Sequence, residues 1–511
     1  MGKQFFLMVK AFNKNRAQQI FIIIAIAAIW LFPVCAHAQL KGGVGKMDIT
    51  NYEAGLDNDP LYVKALALDD GTTKMVIITL DVVAIEEIGP IKNGYLEKVR
   101  SQIQKDLNIK PSNVLVNVSH CHGIVRSDVA DLTVQAVKQA CSNMVAVNVG
   151  VGTGFENRVM ENRRYIMKDG SQADVRRAYS LPPDDEIASI GPIDPEIGIL
   201  RFDRKNGKTL AVVYNFAVHP IEGVPNGGNT ADMIGFASKV IEENVDGAMA
   251  LFIQGCAGDI NPVNYKSLET PPDAEPLGNL LGLSVLRALK KIHTAPSGKI
   301  KVINEAMDLP RADFQRRIDT LEAKELRLLH SLKQTNINLK MYIPLLIKYN
   351  YSKEFPSFYA QRYLHDKQIG TYDMLRLDSI NRRDMDNYRS NIYIMEHLTR
   401  IQENLRLVKM HQARSAGKKT INVEMLGVKI GDMKLVTFPG ELTVQIGLNI
   451  KKKASDEFTF VAGYTNGYIF YSPTAEQLRN TGEAQEDCDT NLAPEWQEMF
   501  EKRAAEILGK L

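Results

Sequence analysis

The chain is poor in the features that assign a function class early. It has five cysteines in 511 residues and no CxxC pair, which excludes a disulfide scaffold. Neither sign of charge is in surplus: 62 lysines and arginines face 60 aspartates and glutamates, a net of +2. There is therefore no basic excess of the kind that binds nucleic acid. Internal repeats and low-complexity linkers are missing, and beyond residue 38 no apolar run is long enough to span a membrane. What remains is 45% hydrophobic and 24% charged residues, the composition of a packed core, in a length that allows one large domain or two to three ordinary ones.

The N-terminus reads as an address. Lys3, Lys10, Lys14 and Arg16 precede the apolar run 20–34, and Ala-His-Ala at 36–38 has the form of a cleavage site. We read residues 1–38 as a secretory signal peptide and residues 39–511 as the mature, periplasmic or secreted chain. An uncleaved anchor is the competing reading, but 15 apolar residues are few for a spanning helix. The residues before Cys35 lack the small side chains expected ahead of a lipidated cysteine. Losing four basic residues takes the net charge from +2 to −2 and leaves Cys121, Cys141, Cys256 and Cys488, whose pairing is open.

Strand-like and helix-like runs then alternate. Segments 61–70 and 74–85 read as strands joined by an Asp-Gly turn, 112–120 as a strand, and 210–220 and 247–259 as apolar strands running into Gly/Pro-rich loops. Segments 89–107, 128–144 and 230–244 read as helices. The expected fold is α/β: layered mixed β-sheets flanked by helices, with functional residues where strands end. Residues 311–415 differ. Phe314, Ile318, Leu321, Leu328 and Leu332 keep helical spacing, as do Ile394, Leu398, Ile401, Leu405 and Val408. This predicts a helical insertion within one domain over 39–511. Packing is the plainer role for it, a wall or lid the sharper one. Strands return at 421–441 and 458–474, and a helix closes the chain at 493–511.

Of nine histidines, three lie at ends of apolar strands: His120 and His122 in NVSHCHG, and His219 in NFAVHP. Residues two apart on an extended segment face the same side, so His120 and His122 are expected to share a target. Glu441 follows a Pro-Gly turn in FPGE, and Tyr464, Tyr468 and Tyr471 crowd GYTNGYIFYSPT. Catalytic zinc takes three protein ligands from His, Asp or Glu and keeps a position for water. Two histidines and a glutamate from separate strand ends suit that pattern, with buried, hydrogen-bonded histidines as the alternative. Three further signals weigh less. GVGTG at 150–154 lacks the third glycine of a dinucleotide loop. The glycosylation sequon at 117–119 abuts the candidate ligand and is expected to be buried. The acidic stretch GEAQEDCD at 482–489 suits calcium on composition, but a solvated loop is the plainer expectation.

The segments GVGKMDIT (43–50), NVSHCHG (117–123), ENRR (161–164), NFAVHP (215–220), TADMIGFA (230–237), GCAGDINP (255–262), FPGELT (438–443) and GYTNGYIFYSPT (463–474), taken in order, resemble the catalytic N-terminal domain of the neutral/alkaline, non-lysosomal ceramidases. That family hydrolyses the amide of ceramide with one zinc ion. The resemblance implies zinc ligands at His120, His219, Glu441 and Tyr471, the last sharing its stretch with Tyr468. It implies His122 near the reacting carbonyl and Arg163 in the family's N-R segment. Zinc lowers the pKa of bound water from about 15.7 toward about 7. His122, Arg163 and Asn261 are then candidate oxyanion donors, each such donor being worth about 10²–10³ in rate.

The chain departs from the family in four places. The family's G-D-V-S-P serine, an assigned catalytic residue, is Asn261 here, and an amide is no nucleophile, though it can donate a hydrogen bond. Cys256 in QGCAG only partly matches a nucleophile elbow and reads as a small buried residue, while Cys121 is expected to point away from the histidines. The family's Y-E-G tyrosine has no counterpart in 480–488, the turn after His219 is glycine-rich, and no C-terminal immunoglobulin-like domain is expected. These departures bear on the substrate more than on the metal ligands. The reading is an exported zinc hydrolase of an N-acyl amide, with ceramide as one candidate and metal-activated water as the attacking group. Its expected partners are a small-molecule or lipid amide and, peripherally, a membrane surface. The alternatives are a zinc hydrolase of another amide or ester, and a non-catalytic binding protein that keeps the fold.

Overall fold

The computed structural model describes residues 39–511 except 56–58, 224–228, 266, 297 and 481; the signal peptide read in 1–38 lies outside the described residues. Two sheets face each other and helices cover their outer faces. The larger sheet comprises β1 (Lys41–Asp48), β2 (Tyr62–Asp69), β3 (Lys74–Leu80), β4 (Val114–Val118), β5 (Val145–Phe155), β6 (Glu196–Arg204), β7 (Thr209–Phe216) and β8 (Met249–Gln254). Its order is β8-β7-β6-β5-β1-β2-β3-β4. The smaller sheet, β9 (Ile300–Pro310), β10 (Thr420–Ile430), β11 (Met433–Thr437) and β12 (Thr459–Ala462), runs β9-β10-β11-β12.

Alternation along the strands builds the layers. On β2, Val63, Ala65 and Ala67 face a core shared with α1 (Tyr95–Leu107) and α2 (Val129–Ser142), while Leu66 and Leu68 face the second sheet. Strands buried on both faces read as continuous apolar runs, as in KMVIITL of β3. α3 (Asp232–Asn244) and α4 (Ala274–Leu289) cover β6–β8, and α9 (Val444–Lys453) and α10 (Trp496–Lys510) cover the smaller sheet. Gly43 and Gly45 let α2 press onto β1: a Cβ at either would lie 2.1 Å from a carbonyl oxygen of that helix. The GVGTG stretch sits inside β5, not in a phosphate-binding loop.

Three neighbouring pairs are parallel: β3/β4, β7/β8 and β11/β12. Each needs a crossover, supplied by α1, α3 and α9. In an α/β architecture the carboxyl ends of such strands are where ligands bind. β4 runs into His120, β7 into His219, β11 into Glu441 and β12 into the tyrosine-rich loop. The two edges of the large sheet also come side by side. Asn117 Oδ1 on β4 accepts from the backbone N of Gln254 on β8 at 2.7 Å, and Gln254 Nε2 donates to Ser119 O at 2.9 Å. Asn117 is fully buried and donates to Gly463 O and Thr465 Oγ1, so the sequon is closed to a glycan.

Four helices, α5 (Gln315–His330), α6 (Leu339–Tyr351), α7 (Ala360–Ile369) and α8 (Asp373–Ser415), lie between β9 and β10, which pair along their whole length. Phe314, Ile318 and Leu321 pack against Ile401, Leu405 and Val408 as their spacing predicts. Leu332 does not: it lies just past the end of α5 and is exposed.

Candidate metal centre

His120 Nδ1 sits 2.6 Å from Val83 O, and His219 Nδ1 sits 3.0 Å from Ile260 O. A carbonyl oxygen only accepts, so each Nδ1 carries the hydrogen and each Nε2 offers a lone pair. Both lone pairs point at Glu441: His219 Nε2 is 3.1 Å from Oε2 and His120 Nε2 is 3.6 Å from Oε1. Ligand atoms of the three residues all lie within 4.8 Å of one another, and all three are buried. Burial pushes the His120 pKa down to about 4 against the pull of Glu441, and burial together with Arg163 lowers that of His219. Tyr464 and Tyr468 donate to the two oxygens of Glu441 and favour its carboxylate form. Three lone-pair donors with no proton between them form a buried site that a cation completes. The residues therefore fit a metal ion.

The backbone is bent to make this convergence. β4 ends at Val118, and His120 takes a left-handed φ of 69°; Tyr464, Asn466 and Phe470 are left-handed too. Non-glycine residues pay for that conformation, which clusters at functional sites. The extended geometry expected for NVSHCHG is thus corrected: the left-handed His120 breaks the strand, and His120 and His122 line one cavity with ring centroids 5.7 Å apart. Cys121 points into the α1–α2 core, away from both. Cys256 is buried against α9, and burial raises its thiol pKa beyond use as a nucleophile.

Glu441 and Tyr471 are register partners in a short parallel pair, Glu441–Leu442 with Tyr471–Ser472. The tyrosines divide. Tyr464 Oη donates to Glu441 Oε2 at 3.2 Å and Tyr468 Oη to Oε1, while Tyr471 Oη accepts from Arg163 Nη2 at 3.1 Å. Tyr464 and Tyr468 as tethers of the carboxylate were not foreseen, although the crowding of tyrosines was the signal. Tyr468→Phe is expected to lower metal affinity about 10–100-fold with little loss of stability, as measured by competition with a chelator.

Arg163 is buried and almost fully committed. Nε donates to Glu486 at 2.5 Å, Nη1 to Asn261 Oδ1 at 2.9 Å, and Nη2 to Gly258 O and Tyr471. Asn261 thus stands behind Arg163 and is not among the residues lining the cavity. Arg164 donates to Glu486 and Asp487. This overturns the solvated-loop reading of 482–489: Gln485, Glu486 and Asp487 are buried because the two arginines of ENRR need counter-ions away from water. Gly258 presses on the ligand strand, and a Cβ there would lie 2.6 Å from Glu441 O. Gly258→Ala is expected to displace Glu441 and destabilise by about 1–3 kcal/mol, with weaker metal binding; denaturant titration and a metal assay check both.

A cavity of about 310 Å³ opens onto the three residues. His122 lines it, is more than a third exposed and makes no hydrogen bond to the described residues; desolvation by the walls and the neighbouring His120 push its pKa down to about 4. Arg163, Arg176, Arg177, Tyr265 and Asp489 complete the polar wall, and Val83, Ile88, Ile221 and Phe470 the apolar one.

No family model matches the sequence, and no curated protein matches it. Solved structures do. A neutral ceramidase from Pseudomonas aeruginosa aligns over 93% of this chain and 75% of its own, with a TM-score of 0.56 at 15% identity. A ceramidase complexed with C2 aligns over 92% and 75%, with a TM-score of 0.57 at 14% identity. The chain has the neutral ceramidase fold. In this instance of the ceramidase fold, His120, His219 and Glu441 meet where three crossovers deliver strand ends, and the GDINP segment supplies Arg163 with an acceptor.

Proposed function

We propose that the protein is a zinc-dependent hydrolase of an N-acyl amide, exported from the cytoplasm. The observation that carries this is the convergence of two imidazole Nε2 lone pairs and a buried carboxylate at the floor of a cavity, in the ceramidase fold. His120, His219 and Glu441 hold the metal, and Tyr471, the register partner of Glu441 lining the same cavity, is the fourth ligand proposed. Zinc bound there supplies Lewis acidity, lowering the pKa of a water to about 7 and polarising a carbonyl oxygen. The chain's own groups do the rest. The N–H of His122, neutral at pH 7 and facing the cavity, donates to the oxyanion, while its other ring nitrogen takes up the proton released by the attacking water and passes it to the leaving amine. Arg163, which lines the same cavity, keeps one Nη1 hydrogen beyond its four bonds for that oxygen. Asn261 positions Arg163 instead of attacking, so no serine nucleophile is required.

The cavity is at the small end of the range for organic ligands, about 300–1,000 Å³. It takes the amide and its polar neighbours, and a long acyl chain must run outward. This size, with Arg176 and Arg177 in the wall, favours a second reading in which the substrate is another amide or an ester. The test is hydrolysis of fluorogenic N-acylsphingosines, N-acyl amino acids and acyl esters, each with zinc and with chelator. Zinc-dependent cleavage of an amide supports the proposal. Zinc-dependent cleavage of the ester alone moves it to the second reading. No turnover by protein carrying stoichiometric zinc overturns it.

A further inference from the structure

Helix α6 is apolar on both sides. Tyr342 and Tyr349, with Leu345 and Leu346, pack on Met385 and Tyr388 of α8 in a small core of their own. On the other side Leu339, Ile343, Ile347 and Tyr351 follow at i, i+4 spacing and are 58%, 46%, 66% and 91% exposed. A helix that carries Lys340 and Lys348 yet turns a second apolar stripe to solvent presents that stripe to something outside its own core. The surroundings repeat the pattern. Phe358, between α6 and α7, is 94% exposed, and Tyr393 on α8 is 61% exposed. Of 28 exposed large apolar side chains among the described residues, 19 fall within residues 326–395. Scattered apolar residues need no explanation, but a concentration on one small substructure does.

The charge of the same segment selects what covers it. Residues 326–395 carry eleven lysines and arginines against six aspartates and glutamates, a net of +5, whereas residues 39–511 as a whole are −2. Two of those acids, Asp378 and Asp384, are buried and spent on internal partners. Two copies of such a face repel each other. Exposed tyrosine and phenylalanine amid lysine and arginine are what a lipid interface accommodates, rings at headgroup depth and cations at the phosphates. We propose that the α6–α8 arm docks the protein on a bilayer surface bearing anionic headgroups, with the Leu339–Ile343–Ile347–Tyr351 stripe inserted among the acyl chains. The proposal goes beyond the hydrolase reading and stands on this surface alone.

The test is co-sedimentation of the purified protein with vesicles of phosphatidylcholine plus phosphatidylglycerol, and of phosphatidylcholine alone, neither containing an amide substrate. Binding is expected to the anionic vesicles and to be stronger at low salt. The variant I343S/I347S/Y351S is expected to bind about tenfold more weakly or worse, with an unchanged circular dichroism melt and unchanged metal content. K340E/K353E, which keeps the apolar stripe, is expected to lose several-fold on anionic vesicles only. No binding by the wild type overturns the proposal, as does equal binding by the stripe variant. A wild-type dimer that the stripe variant dissolves, without vesicle binding, assigns the face to a second copy and also overturns it.

Discussion

In the proposed zinc hydrolase, His219→Ala is expected to abolish metal binding and to lower kcat/KM by three orders of magnitude or more, about 4 kcal/mol of transition-state stabilisation. The size follows from the geometry. Of the three groups that meet, His219 Nε2 makes the shortest approach to the carboxylate, 3.1 Å, and its ring is fixed by the Nδ1 bond to Ile260 O. Truncation leaves His120 and Glu441, with the Tyr471 hydroxyl engaged by Arg163, too few free donors for a tight zinc site. Tyr464 and Tyr468 still hold the carboxylate, so the fold survives. The expected result is a protein with a wild-type circular dichroism spectrum, no zinc after dialysis and residual turnover near background. Turnover within tenfold of wild type would remove the metal from the mechanism.

Glu486→Ala lowers the unfolding free energy by about 3–5 kcal/mol, the largest stability effect expected from a single side chain outside the metal ligands. Glu486 is fully buried and accepts from Arg163 Nε at 2.5 Å and Arg164 Nη2 at 2.8 Å. Arg164 keeps Asp487 when it is removed, whereas Arg163 loses its direct carboxylate partner. A buried guanidinium without a counter-ion is the costly outcome. Burial works against ionisation of Glu486, but Arg163, Arg164 and Arg176 outweigh it, and its pKa falls below the ordinary 4.5. A depressed carboxyl stabilises fully above its unfolded pKa, and the contribution disappears as the pH falls through the folded value. Wild-type stability is therefore expected to drop below about pH 4.5 more steeply than that of the variant, and denaturant titrations at pH 7 and pH 4 measure both effects.

The layered α/β fold was legible because β3, β7 and β8 are largely apolar runs between helical segments. The three residues of the candidate metal site stood out because each lies a short way past the end of an apolar strand, His120 after β4, His219 after β7 and Glu441 after β11. Three things were not legible. The turn at His120 is invisible because it rests on a left-handed histidine held by Val83 O, a bond that spans 37 residues. The burial of QEDCD was hidden because an acidic stretch looks solvated until Arg163 and Arg164 are seen to lie 322–323 residues away in sequence and at hydrogen-bond distance in space. The place of Asn261 was hidden likewise: a substituted position in a motif says what chemistry is lost, not what the new side chain holds. Local pattern reports elements, and long-range polar pairing needs coordinates.

The most direct test of the central claim is X-ray absorption at the zinc edge on the purified protein, with metal content from the same sample. The account predicts one zinc per chain, bound by two imidazole nitrogens and oxygen donors at about 2.0–2.2 Å, and lost in His120→Ala. A chain without stoichiometric metal, or zinc held by thiolate sulfur at about 2.3 Å, would contradict it.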